Sequence, residues 1–246
     1  MVNEMKKLYE KSEIWFAVLW IIVYVIALSA ADDVSESLGV YKSVTALLCV
    51  VLSAILFLWI KKNDFMEKYG LCAFRGNLKN YLFFIPLVIM VSSRLWGGIA
   101  VAVTPLECAL YVVSMLGVGF LEELIFRGFL FKAICKSSVR RAIIISSVTF
   151  GIGHIVNLLN GQATFDTIVQ VIFAVIVGFC FTIIFYKGKS LLPCIVTHGV
   201  NNSLGIFGAE GSQTFQMISA GILCVVLAGY TLWIIKKEPK GEEEIV

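Results

Sequence analysis

The sequence predicts an all-α, polytopic membrane helix bundle with about eight transmembrane helices, and three observations carry that expectation. Hydrophobic residues make up 59% of the 246 and charged residues only 15%, with a mean hydropathy of +0.90; soluble domains hold about a quarter charged residues. Eight apolar runs recur along the chain, most of them near the roughly 20 residues a spanning helix needs. The lysines and arginines fall at the ends of these runs, in alternate loops.

The runs lie at residues 14–31, 43–60, 80–102, 106–131, 142–159, 167–186, 190–207 and 214–235. They show no strict alternation of polar and apolar residues, which a membrane β-barrel strand would require. Helices are then the way to pair their backbone groups in lipid. The first run begins after Lys6, Lys7 and Lys11 and ends near Ala30 and Ala31, like a signal peptide. It is too long for a signal-peptide core and is read as a retained span. The third and fourth runs are interrupted by Arg94, Thr104, Pro105 and Glu107. With both termini in the cytoplasm, every Lys and Arg except Lys42, Arg94 and Arg127 falls on the cytoplasmic side, as the positive-inside rule expects. The chain reads as one membrane domain, 1–246, in a cell membrane or another cellular membrane, without internal repeat or soluble domain.

Composition also excludes function classes. A net charge of +3, spent on span ends, offers no nucleic-acid surface. The seven cysteines are scattered singly without a CxxC and read as small buried hydrophobes.

Ionisable residues inside apolar runs are costly, at least about 2.5–3.5 kcal/mol each at the bilayer centre, and mark functional interiors. The fourth run holds Glu122, Glu123 and Arg127 in the stretch GFLEELIFRGFLFK. Glu123 and Arg127 are four apart, share a helix face and can pair. Glu122 points about 100° further round, and a carboxylate left without a cation in a dry slab suits a general base. The fifth run carries His154 with Phe150 one turn before it, and the seventh carries His198 with Asn202 one turn after it. These are the chain's two histidines. At 1.5 Å rise per residue from the flanking cytoplasmic charges, Glu122 lies about 15 Å deep, His154 about 20 Å, His198 about 13 Å and Asn202 about 20 Å. Three separate spans thus place polar groups in one slab. The remaining candidates read as structure: Arg94 snorkels at the outer interface, Gly151 and Gly153 let helices approach, and Asp166 caps the sixth span.

The EExxxR run (Glu122, Glu123, Arg127), the FxxxH run (Phe150, His154) and the HxxxN run (His198, Asn202) resemble, in order and separation, the three motifs of the CAAX-processing and bacteriocin-processing intramembrane proteases. The resemblance covers about 105–205, the motif-bearing protease core. It implies an eight-helix membrane fold with a conical cavity open to the cytoplasmic side, and endoproteolysis near the membrane surface of lipidated or membrane-associated proteins and peptides, prenylated in eukaryotic members. It implies Glu122 as the base that activates water, His154 as its assistant, His198 and Asn202 as oxyanion donors, and Glu123 and Arg127 as the residues that hold the site in shape. Members are also labelled metalloproteases, and Glu122, His154 and His198 would be the ligands if zinc binds, since two His and one Glu with an open position form a common catalytic zinc set. HExxH is absent, so a glutamate-based and a zinc-based mechanism both stay open. The competing readings are a non-catalytic immunity or regulatory protein of the same fold, and a proton-coupled transporter.

Overall fold

The computed structural model describes residues 2–209 and 211–238. Ser12 accepts a hydrogen bond from the Trp15 backbone at 3.2 Å and so separates an amphipathic helix, α1 (Val2–Lys11), from the long apolar α2 (Glu13–Ser37). A turn bearing Lys42 leads into α3 (Ser43–Lys62), which ends on two lysines. After a loop over 63–81, the chain passes through left-handed residues at Leu82, Phe83 and Phe84 and enters α4 (Ile85–Ser92), started by Pro86. Thr104 and Glu107 form a capping box on α5 (Pro105–Glu122). That helix continues without a break as a π-helix over Glu123–Phe131 and closes in α6 (Lys132–Cys135). α7 (Val139–Gly153), the single turn α8 (Val156–Leu159), α9 (Thr164–Gly188), α10 (Leu192–Ser203) and α11 (Gln213–Lys237) complete the fold. Among the described residues no strand forms; Ile99 and Gly208 make one isolated antiparallel pairing.

All eight predicted apolar runs contain helix, and among the described residues six helices are long and apolar enough to cross a membrane: Glu13–Ser37, Ser43–Lys62, Pro105–Cys135, Val139–Leu158, Thr164–Gly188 and Gln213–Lys237. The third and seventh runs are shorter. Leu82–Leu95 is a short apolar helix, followed by turns rather than helix up to Thr104. α10, at 12 residues, rises only about 18 Å at 1.5 Å per residue, well under the roughly 30 Å of a bilayer core. Asp166 lies in the first turn of α9, and the cap position belongs to Ala163. The exposed surface is rich in large apolar side chains, among them Trp15, Ile26, Leu47, Leu58 and Val225, as lipid contact requires.

Small residues decide how closely the site-bearing helices approach. Gly119 of α5 faces Gly199 of α10 so tightly that a Cβ on Gly119 would lie 2.5 Å from the Gly199 nitrogen. Gly151 of α7 packs on the backbone of α9 in the same way: a Cβ there would lie 2.9 Å from the Val175 nitrogen and 3.0 Å from the Val171 carbonyl oxygen. In lipid, where apolar burial does not drive helices together, such close contacts do.

The two ends of the bundle differ. At one end Lys68 and Lys136 both meet Glu13, at 2.7 and 3.0 Å. Just inside it, buried Phe16, Trp59, Tyr69 and Phe129 form a continuous aromatic layer: Phe16 stacks on Trp59 at 5.0 Å and Phe129 meets Tyr69 at 4.9 Å. At the opposite end Lys42 pairs with Asp32 at 2.8 Å, and Tyr41 stacks on Tyr111 at 5.9 Å.

Candidate active site

The fourth run changes helix type at its charged pair. α5 ends at Glu122, and Glu123 opens a π-helix whose nine residues are all buried. π-geometry is rare and tends to occur at functional sites. Within it Arg127 Nη1 donates to Glu123 Oε1 at 3.1 Å, both side chains fully buried. The guanidinium carbon lies 3.9 Å from the centre of the Phe150 ring and 5.9 Å from that of Phe181. Arg127 is thus held by a carboxylate on one side and aromatic π-faces on the other.

His198 reaches this pair from α10. Its Nδ1 is 2.8 Å from the same Glu123 oxygen. Because an ionised carboxylate only accepts, Nδ1 carries the proton, and Nε2 is the nitrogen that faces onward. Nε2 lies 3.5 Å from Glu122 Oε2. The two adjacent glutamates therefore flank one imidazole from opposite sides. Glu122 Oε1 accepts from the Tyr24 hydroxyl of α2 at 2.7 Å. Tyr24 lies in the first apolar run, far from every motif, and nothing in sequence distinguishes it from a packing aromatic.

His154 arrives from α7, but not from within a continuous span. The helix stops at Gly153, and His154 is its C-terminal cap. Its Nδ1 lies 3.1 Å from the Phe150 carbonyl oxygen, which only accepts, so here too the proton is on Nδ1. Phe150 stands edge-on to both imidazoles, 5.1 Å from His154 and 5.9 Å from His198. Glu122, Tyr24, Phe150 and His154 share the wall of a cavity of about 120 Å³.

Glu122, Glu123, Arg127, Phe150 and His198 are thus linked in one chain of contacts through His198 and Arg127, and His154 lines the same cavity as Glu122. Asn202 sits one helical turn beyond His198; its Oδ1 accepts from Asn201 Nδ2 at 3.2 Å, and Asn201 Oδ1 accepts from Arg94 Nε at 3.3 Å. Asn201 is buried and belongs to no motif read from the sequence.

Among the described residues no three His, Cys, Asp or Glu side chains gather in a way that could hold a metal ion. His198 is bracketed by two glutamates and His154 is turned to a backbone carbonyl. Glu122, His154 and His198, the candidate ligands if zinc binds, are not among such a gathered group. The seven cysteines are all free, and Cys194 donates to the Phe181 carbonyl at 3.4 Å.

The cavity runs in one direction. On α2 its lining begins at Tyr24 and continues through Leu28 and Ser29 to Asp32; past α7 it continues through Asn157 to Asn160. Asn160 is exposed and its amide lies 3.5 Å from the Ser29 hydroxyl. All these residues lead away from the end marked by Lys68 and Lys136 and from the aromatic layer of Phe16, Trp59 and Phe129. The cavity therefore extends toward the end opposite the one that bears Lys68 and Lys136.

Residues 104–204 match a protein family described as Type II CAAX prenyl endopeptidase Rce1-like. The matched stretch begins at the cap of α5 and ends just past α10, so it contains all three motifs and excludes Tyr24 and Arg94. No curated protein and no solved structure matches the chain.

Proposed function

We propose that this chain, which carries a domain of the Rce1-like type II CAAX prenyl endopeptidase family over residues 104–204, is a membrane-embedded endopeptidase that cleaves membrane-anchored proteins or peptides with a water activated by Glu122. One observation carries the reading: Glu122 is held between Tyr24 and His198 at the inner end of a cavity that His154 also lines.

Peptide hydrolysis needs a base for the attacking water, donors for the oxyanion and an acid for the leaving amine. A water in the cavity gives its proton to Glu122. His154, with Nδ1 committed to the Phe150 carbonyl, presents Nε2 as an acceptor that aligns this water. As the carbonyl carbon becomes tetrahedral, its oxygen takes hydrogen bonds from Asn202 and from His198, whose Nε2 takes up the proton from Glu122 Oε2, 3.5 Å away, and returns it to Glu122 as the tetrahedral intermediate collapses. The proton collected by Glu122 then passes to the leaving nitrogen. Glu123 and Arg127 orient His198 without touching the substrate. Zinc, if bound, would polarise the scissile carbonyl, but among the described residues no three His, Cys, Asp or Glu side chains gather to hold it. Metal analysis of the purified, active protein checks this point.

The lysine-rich end faces the cytoplasm in this reading, following the positive-inside rule. Water and the scissile segment then enter from the opposite side, along the wall from Asp32 to Tyr24. Apolar α2 and α7 border this route, so a lipid anchor, prenyl or acyl, can stay in the bilayer while the peptide reaches Glu122.

The deciding experiment is purification of the full chain in detergent and cleavage of a library of membrane-tethered fluorogenic peptides, with Glu122→Gln beside the parent. Loss of cleavage in Glu122→Gln with an unchanged unfolding midpoint is expected. Activity that survives in Glu122→Gln would sink the reading.

A further inference from the structure

An asparagine serves as an oxyanion donor only if its NH2 end faces the reacting oxygen, and a carboxamide can present either end. What decides the orientation of Asn202 lies outside the motifs. Arg94, in the helical turn after α4, donates through Nε to Asn201 Oδ1 at 3.3 Å. A guanidinium has only donors, so it admits only the oxygen end of Asn201. The amide of Asn201 is thereby turned with Nδ2 toward its neighbour, and it donates to Asn202 Oδ1 at 3.2 Å. Asn202 then has its oxygen occupied and its NH2 end left to donate. Asn201 is itself buried, 6% exposed. Among the described residues no carboxylate lies within ion-pairing distance of Arg94 to compete for it.

We infer that Arg94 and Asn201 are positioning residues that lock the Asn202 carboxamide with its N–H donors toward the developing oxyanion. The inference rests on the endopeptidase reading above. It places a determinant of the reaction on Arg94, which precedes the family match and lines a second cavity of about 480 Å³ together with Asn201, Asp166 and Gln170.

The two substitutions Asn201→Asp and Asn201→Leu separate positioning from mere packing. Asp keeps the shape and the Arg94 contact but has no N–H, so Asn202 turns its NH2 end to the new carboxylate and its oxygen to the substrate. Leu removes the lock without imposing the wrong orientation. Cleavage of a tethered fluorogenic peptide accepted by the parent is then expected to fall in kcat by about 100-fold for Asn201→Asp, the effect of losing one oxyanion donor. Asn201→Leu loses only several-fold, and KM stays within about twofold in both. A purely structural role reverses the order, since Asp retains the Arg94 partner and Leu strands it. Arg94→Met and Arg94→Lys give a second series in case Asn201→Asp does not fold: Met lowers kcat several-fold and Lys, which still donates, restores it. Asn201→Asp as active as Asn201→Leu or better, or Arg94→Met as active as the parent, overturns the inference. Asn202→Ala run in parallel separates the two levels. If it loses kcat while Asn201→Asp does not, only the positioning fails. If it keeps full kcat, or if the parent cleaves no peptide of the library, the oxyanion reading falls and this inference with it.

Discussion

Glu123 Oε1 lies 2.8 Å from His198 Nδ1 and 3.1 Å from Arg127 Nη1, so one carboxylate oxygen joins the fourth and seventh apolar runs in a fully buried setting. In the proposed mechanism Glu123 is the hub and Glu122 the base. It sets the tautomer of His198 and thereby leaves Nε2 facing Glu122. Removing one partner from a buried charge pair strands the other, at about 3–5 kcal/mol. Arg127→Met is therefore expected to lower the unfolding midpoint in detergent sharply, and the double variant Glu123→Gln/Arg127→Met to recover a large part of the loss. Equal midpoints for the single and double variants would show that the pair is not coupled.

Tyr24 holds Glu122 from a helix outside the matched region. A hydrogen bond to a charged group is worth about 1.5–3 kcal/mol, and Tyr24→Phe deletes it with little change of shape. A kcat lowered by about 10-fold or more on the tethered peptide, with an unchanged unfolding midpoint, is the expected result. Parent-like kcat would mean that Glu122 keeps its place without Tyr24.

Gly119 meets backbone and not a movable side chain: its added Cβ would lie 2.7 Å from Gly199 Cα and 3.2 Å from the carbonyl carbon of His198. Gly119→Ala must push α10 away from α5 and carry His198 off Glu123. Overpacking of this kind costs about 1–3 kcal/mol, so the midpoint should fall modestly while cleavage falls by more than tenfold. Gly221→Ala, at a position with open space around it, should change neither.

The direction of the cavity is testable without any activity. In a cysteine-free version of the chain, Ser29→Cys at the mouth and Lys62→Cys at the lysine-bearing end are exposed to a membrane-impermeant thiol reagent in sealed right-side-out vesicles. Ser29→Cys should label from outside and Lys62→Cys only after permeabilisation. The reverse pattern would place the cavity mouth in the cytoplasm.

Much of this molecule can be read from residue order alone. An apolar run in lipid must satisfy its own backbone, so composition leads directly to helices. Charges that cannot cross the bilayer mark the loops. Glu122, Glu123, Arg127, His154 and His198 stand out because each is expensive where it lies, and the four-residue spacing of Glu123 and Arg127 puts them on one face before any packing is known.

Other features depend on neighbours that the local sequence does not contain. The π-segment over Glu123–Phe131 and the stop of α7 at His154 are helix-type and helix-end choices of small local energy, made where the π-segment packs against α2 and α7 and where α7 packs against α9. α10 is too short to span, yet its apolar run reads like a full helix until its ends are set by Pro193 and the turn at Leu204. Tyr24 takes its importance from a hydrogen bond over 98 residues of separation, and Arg94 and Asn201 from one over 107; an aromatic or amide has no excess cost in its own run to reveal it. Burial cost is local and legible in the chain, whereas orientation is a property of pairs and exists only once the helices have met.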